Sequence, residues 1–202
     1  MEFNEAGIQA KTHPSSADWI NLSGSPNAYT LANGQLQMHL FKPADTQQAN
    51  SPQGPYNLAA GMGSTFNSSY KMHYGTAEIT MQCIGVGGVV NAFIVSMETM
   101  APDNADEIDW EMVGGDVQHG QSNFFWNNDH LYGVNSQTHS VPGGPINTTS
   151  YTFVNRADTL TNGVYMYPSH PSYIQFGVWD SSTSPTTTQW ANGPIDWNSQ
   201  PS

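Results

Sequence analysis

Asp106-Glu107-Ile108-Asp109-Trp110-Glu111-Met112 alternates acid and apolar side chains from Glu107 onward. Successive side chains of a β-strand point to opposite faces, so Glu107, Asp109 and Glu111 share one face while Ile108, Trp110 and Met112 share the other. The apolar set can bury against a second layer, and the acids then look outward, into solvent or a cleft. Reading outward, Val89-Val90-Asn91-Ala92-Phe93-Ile94-Val95 is nearly continuous and β-branched, as a central strand requires. Ala77-Glu78-Ile79-Thr80-Met81-Gln82-Cys83 and Leu36-Gln37-Met38-His39-Leu40 alternate with the period of a half-buried strand. Tyr173-Ile174-Gln175-Phe176-Gly177-Val178-Trp179 reads as another strand. Turn clusters lie between them: Ser23-Gly24-Ser25-Pro26-Asn27, Ala32-Asn33-Gly34, Gly85-Val86-Gly87-Gly88 and Pro142-Gly143-Gly144-Pro145. No window carries a long helical apolar stripe, so the pattern predicts an all-β sandwich or jelly roll.

The chain has 202 residues, which suits one domain over 1–202, and neither a repeat nor a linker divides it. Four Lys plus Arg against sixteen Asp plus Glu leave a net charge of −12. Nucleic acid is excluded as a partner, because such interfaces rest on Lys and Arg neutralising phosphate. The single cysteine, Cys83, rules out an intrachain disulfide and a cysteine-built zinc site. No stretch approaches the roughly 20 apolar residues of a membrane-spanning helix. Met1-Glu2-Phe3-Asn4-Glu5 lacks a basic, apolar leader, whereas Asn21-Leu22-Ser23, Asn67-Ser68-Ser69 and Asn147-Thr148-Thr149 are glycosylation triplets. A mature secreted domain with an added initiator Met accounts for both.

Seven of the sixteen acids fall between Glu98 and Asp116. Three carboxylates on one strand face repel each other, a poor choice for stability alone. Crowding raises at least one carboxyl pKa, so that one group stays protonated beside an ionised neighbour. Glycoside hydrolysis needs this pairing, with one carboxylate to attack the anomeric carbon and one carboxylic acid to protonate the leaving oxygen. On a straight strand the Cα atoms of Glu107 and Glu111 stand ~13 Å apart. Side chains leaning together on a bent strand can bring the carboxyls toward the roughly 5–5.5 Å of a retaining enzyme. Asp109 between them can hydrogen-bond the nucleophile. A solvated acidic strand or a calcium site is the plainer reading of the same row.

On the next strand, Gln121, Asn123 and Phe125 share a face beside the acids, and Phe124 shares the core-facing parity of Ser122. Amides beside an aromatic ring suit a neutral sugar. Trp179, Trp190, Tyr132 and Trp126 are further stacking platforms in prospect, the first three preferred. The seven His show no metal-ligand spacing and no nucleophile elbow is present, so no cofactor is expected. Structural calcium is compatible with a jelly roll, but no ligand set stands out.

These residues resemble glycoside hydrolase family 16. Asp106-Glu107-Ile108-Asp109-Trp110-Glu111, then Gly114-Gly115-Asp116 and Gln121-Ser122-Asn123-Phe124-Phe125, are similar to the D-E-I-D-W/Y-E, G-G-D and Q-T-N-Y/F stretches of fungal Crh-type cell-wall transglycosylases. His73-Tyr74-Gly75-Thr76-Ala77-Glu78-Ile79-Thr80-Met81 is similar to the family's Y-G-x-x-E-x-x-M strand. Gly177-Val178-Trp179 and Trp190-Ala191-Asn192-Gly193-Pro194-Ile195-Asp196-Trp197 look like its closing segments. The resemblance implies a jelly-roll β-sandwich of two antiparallel sheets with a concave sugar-binding cleft. It makes Glu107 the nucleophile, Asp109 its helper and Glu111 the general acid/base. It also implies a retaining glycosidase or transglycosylase, secreted or in the cell wall, joining a chitin donor to β-glucan or chitin. The chain departs from the family at 145–165, where a strand and part of the cleft wall are shortened, and at Thr76, where a basic residue is usual. An endo-β-1,3(4)-glucanase and a non-catalytic carbohydrate-binding jelly roll are the alternative readings. The expected partner is a polysaccharide or oligosaccharide, bound by a monomer.

Overall fold

The computed structural model describes residues 8–10, 18–22, 25–97, 105–116, 118–127, 135–141, 146–149 and 160–200. Their strands are β1 (Ile8–Ala10), β2 (Trp19–Asn21), β3 (Tyr29–Ala32), β4 (Gln35–Met38), β5 (Gln48–Ser51), β6 (Gly54–Asn57), β7 (Ser64–Met72) and β8 (Ile79–Gln82). β9 (Val89–Ser96), β10 (Glu107–Val113), β11 (His119–Phe125), β12 (Gln137–Ser140), β13 (Ile146–Thr149), β14 (Leu160–Thr161), β15 (Val164–Tyr165) and β16 (Ser172–Asp180) follow. One short helix, α1 (Pro185–Trp190), comes after β16.

Eight strands form one sheet in the order β1-β2-β7-β16-β9-β10-β11-β12. Every neighbouring pair is antiparallel except β1 with β2 at the edge, which runs parallel. The acid-bearing β10 sits between β9 and β11, hydrogen-bonded on both sides. The facing layer is made of short pieces. The β3–β4 hairpin turns at Asn33-Gly34, both with positive φ (54° and 73°), as a two-residue hairpin turn requires. β8 pairs with β13 at a second position in that layer.

Apolar burial explains why the layers meet. Phe66 and Phe176 stack at 5.5 Å between ring centroids, Trp19 meets Phe176 edge-on at 4.9 Å, and Tyr29, Leu31, Leu36 and Met38 of the hairpin pack onto them. Trp110 and Met112 bury with Cys83 and Val141, so the apolar parity read from β10 faces inward. Close packing there leaves no space at Gly120, where a Cβ would overlap the Trp110 ring. Asn91 is buried yet fully engaged: it accepts from the Ile84 N–H at 2.9 Å and donates to the Ile84 and Met112 carbonyls, each at 3.1 Å. The sheet therefore gains a polar clamp without an orphaned group.

The structure is the expected all-β jelly-roll sandwich, with α1 as a local departure. Pro185 opens that helix and Thr187 Oγ1 donates to the Ser181 carbonyl at 2.8 Å, folding it back over the sheet. Within 145–165, Ile146–Thr149 is a strand and 160–165 a small hairpin, while 150–159 lie outside the described residues, as do Pro142–Pro145. Asn21 and Asn67 of two glycosylation triplets are 3% and 6% exposed, inside paired strands. A glycan has no room on either in the folded chain. Among the described residues no helix is long and apolar enough to cross a membrane.

Candidate active site

The two flanking strands place a partner on each side of every acid of β10. Glu107 lies opposite Ser96 of β9 and Phe125 of β11; Asp109 opposite Ile94 and Asn123; Glu111 opposite Ala92 and Gln121. Directly opposed residues share a sheet face. These side chains therefore share one side of the sheet, and all of them except the buried Ser96 and Ala92 line a cleft of about 690 Å³. Trp179 of β16 and Trp190 of α1 line the same cleft. The two indoles stand 6.2 Å apart with planes 27° from parallel. Trp190 Nε1 donates to Gln121 Oε1 at 2.7 Å.

Burial and mutual repulsion set the charge states. Asp109 is 5% exposed. Its carboxyl is held far above the ordinary carboxylate range, first by burial, then by the neighbouring charge of Glu107 and a side-chain hydrogen bond to it, with Glu111 adding a further charge. Asn123 opposes the shift weakly, donating from Nδ2 to Asp109 Oδ2 across 3.5 Å. Asp109 Oδ1 receives no hydrogen bond from a described donor, so a proton resident on this carboxyl suits the site. Glu111 is pushed up to about 7, by burial first and by the Glu107 charge second. The row thus holds two groups able to carry a proton at neutral pH beside a third acid, the arrangement that separates an acid from a nucleophile.

The start of β10 is anchored from its other face. Asp106 is completely buried, and its Oδ2 accepts from the Ser169 N–H at 2.7 Å, the His170 N–H at 3.1 Å and His170 Nδ1 at 2.7 Å. Its Oδ1 accepts from the Asn127 N–H at 3.2 Å. This acid, which the alternation left outside the row, ties the entry to Glu107 to the segments before β16 and after β11.

Of the residues singled out in the sequence, Glu107, Asp109, Glu111, Gln121, Asn123, Phe125, Trp179 and Trp190 all come to this cleft. Tyr132 lies outside the described residues. Trp126 is partly buried beyond the end of β11 and Phe124 is buried in the core, 7% exposed. Ile94, Ser136, Thr186 and Thr187 also line the cleft and had not been singled out. Strand parity from Ala92 would have found Ile94, but nothing local marks a helix that folds back across the sheet. Among the described residues no group of three or more His, Cys, Asp or Glu is placed to hold a metal ion.

The comparison with known proteins agrees in several ways. Over 160 residues the chain is 32% identical to Crh-like protein UTR2 of Candida albicans, an alignment covering 68% of this chain and 33% of that protein. It is 30% identical over 168 residues to Crh-like protein 2 of Aspergillus fumigatus, covering 69% and 36%. The chain thus spans about a third of the length of these relatives. Among solved structures, a Crh5 transglycosylase in complex with NAG superposes with a TM-score of 0.59 at 19% identity, covering 92% of this chain and 79% of that one. The Bacillus licheniformis β-glucanase superposes at 0.66 with 16% identity, covering 97% and 91%. These two likenesses show a common fold. Residues 17–154 match the family described as Glycosyl hydrolases family 16, and the chain belongs to that family.

Proposed function

We propose that this chain is the catalytic module of a retaining glycosidase or transglycosylase acting on β-linked fungal cell-wall polysaccharide, with chitin as donor and β-glucan or chitin as acceptor. The observation that carries this reading is the row Glu107-Asp109-Glu111, turned to an open cleft with the deeply buried Asp109 at its centre. The relatives' kinship adds the substrate class. The cleft lining supports a neutral glycan: amides of Gln121 and Asn123, hydroxyls of Ser136, Thr186 and Thr187, and the flat rings of Phe125, Trp179 and Trp190. No Lys or Arg lines it among the described residues, which disfavours an anionic polysaccharide.

In the first step Glu107 attacks the anomeric carbon, forming a C–O ester as the glycosidic C–O bond breaks. The departing oxygen takes the bond's electron pair and the Glu111 proton. Asp109 keeps its proton and directs it as a hydrogen bond to the Glu107 carboxylate, holding the nucleophile beside the reacting carbon. In the second step the Glu111 carboxylate accepts the proton of an incoming hydroxyl, which displaces Glu107. A sugar hydroxyl gives a cross-linked product and water gives a shortened chain. A secreted or wall-attached protein carrying this module fits the fungal relatives.

Incubation with a fluorescent chitin oligosaccharide and laminarin tests the reading. A high-mass fluorescent product supports transglycosylation; shortened laminarin with no fluorescent transfer supports the endo-β-1,3(4)-glucanase alternative. Binding of either glycan without turnover leaves a carbohydrate-binding jelly roll. Glu107→Gln should abolish turnover while oligosaccharide binding persists; unchanged rates would overturn the assignment.

A further inference from the structure

Ser96, the last residue of β9, is 1% exposed and stands directly across the ladder from Glu107. Its Oγ lies 2.7 Å from Glu107 Oε2 and 2.8 Å from the Met97 carbonyl oxygen. One hydroxyl hydrogen therefore faces two acceptors, of which one changes charge during the proposed reaction. A hydrogen bond to a carboxylate is roughly twice as strong as one between neutral groups, so the hydrogen belongs to Glu107 while that side chain is a carboxylate. Once the side chain becomes an ester, the charge is gone and the Met97 carbonyl is the stronger acceptor. Rotation about the Cβ–Oγ bond moves the hydrogen from one to the other without breaking any covalent bond.

We propose that Ser96 is the positioning residue for the nucleophile: its hydroxyl fixes the plane of the Glu107 carboxylate for attack and turns to the Met97 carbonyl when the glycosyl ester forms. This rests on the retaining reading above. The geometry has a second support in the backbone. The Met97 N–H donates to the Asp106 carbonyl at 3.0 Å, so the turn after Ser96 and the residue before Glu107 are locked together. Ser96 thus acts from a frame that cannot drift relative to its target. Asp109 approaches Glu107 along β10 and Ser96 from across β9, so the carboxylate is held from two directions. In the covalent step Ser96 keeps its proton throughout. The new bond joins a Glu107 oxygen to the anomeric carbon, and the electron pair of the broken bond leaves on the aglycone oxygen.

An activated donor isolates that step, because 2,4-dinitrophenolate departs without the Glu111 proton. The wild type, Ser96→Ala and Ser96→Thr are compared on 2,4-dinitrophenyl chitobioside and 2,4-dinitrophenyl laminaribioside, measuring the pre-steady-state release of dinitrophenolate, KM and the thermal midpoint. Misplaced reacting groups lose up to about 10²-fold. Ser96→Ala is expected to slow the burst by about ten- to hundredfold, with KM changed less than about threefold, and Ser96→Thr, which keeps the hydroxyl, to recover most of the rate. A Ser96→Ala burst at the wild-type rate overturns the proposal while leaving the retaining reading intact. Equal loss in Ala and Thr variants also overturns it, because packing rather than the hydroxyl is then responsible. A wild type that releases no dinitrophenolate from either donor overturns the retaining reading itself, and this proposal with it.

Discussion

Trp190 donates its indole N–H to Gln121 Oε1 across 2.7 Å, joining the end of α1 to β11. An indole nitrogen can only donate, so the contact settles which way the Gln121 amide faces. Its oxygen is committed to Trp190, and its NH₂ group is left for the cleft, where Glu111 is the cross-strand neighbour. α1 follows β16, and β9 and β10 separate β16 from β11 in the sheet. The contact therefore spans the acid-bearing strand near Glu111.

Replacing Trp190 by Phe keeps an aromatic ring near Trp179 and removes the donor. The freed Gln121 amide then turns, and a sugar hydroxyl that accepted from it loses a fixed partner. One neutral hydrogen bond nets about 1 kcal/mol, so KM for an oligosaccharide should rise roughly three- to tenfold with kcat much less changed. Steady-state kinetics on a defined oligosaccharide check this. An unchanged KM would mean that Gln121 does not need Trp190.

Glu111 is assigned to proton transfer, which contributes about 10²–10⁴-fold. Glu111→Ala should lose that much on an unactivated glycan but release dinitrophenolate from an activated donor nearly as fast as wild type. With Glu111 at about 7, the first step on a natural glycan should fall as pH rises through about 7, because the acid form disappears. The activated donor should show no such fall. A pH–rate profile for each donor, wild type beside Glu111→Ala, measures both effects.

The same raised carboxyl affects stability. Folded Glu111 stays protonated up to about 7, against 4.5 for the free group. Its contribution is thus fully present below about 4.5 and is lost as pH rises toward 7. Each pKa unit corresponds to 1.36 kcal/mol, so the loss is on the order of 3 kcal/mol. Asp109, also raised, acts in the same direction. Glu111→Gln, which cannot ionise, should therefore gain stability relative to wild type between pH 5 and pH 8, as read by urea unfolding at both. A constant difference would show that Glu111 titrates normally in the fold.

Among the described residues Asp106 is the one buried acid whose oxygens are met by four N–H groups. Asp106→Ala strands backbone donors at Asn127, Ser169 and His170, and each unsatisfied buried group costs about 1–3 kcal/mol. A loss of roughly 3 kcal/mol or more is expected in chemical denaturation. Asp106→Asn keeps acceptor oxygen and should lose clearly less. Equal losses would mean that burial volume, not hydrogen bonding, makes this site matter.

Much of the cleft was legible from parity. Alternation in Glu107–Met112 separated the acids from Trp110 and Met112, and alternation in Gln121–Phe125 put two amides and a ring beside them. Both readings work because a strand offers only two faces and one of them must be apolar. Trp179 and Trp190 were legible as aromatic residues, but Trp190's hydrogen-bonding role was not. Indole chemistry is the same wherever the residue sits, and only the path of α1 brings it to Gln121. Ser96 escaped notice because a lone Ser at a strand end carries no pattern.

By itself, the order of residues determined the strand periods, the inward set, the outward row of three acids and the deficit of positive charge, since each depends only on neighbours along one chain. The tertiary structure decided which strands flank β10, that Asp109 is buried deeply enough to push its carboxyl far above the ordinary range, and that Ser96 and Asp106 grip the acid row from two sides. Those outcomes depend on distances between segments far apart in sequence. Desolvation and hydrogen bonding act through space, and no local pattern encodes how far away water will be.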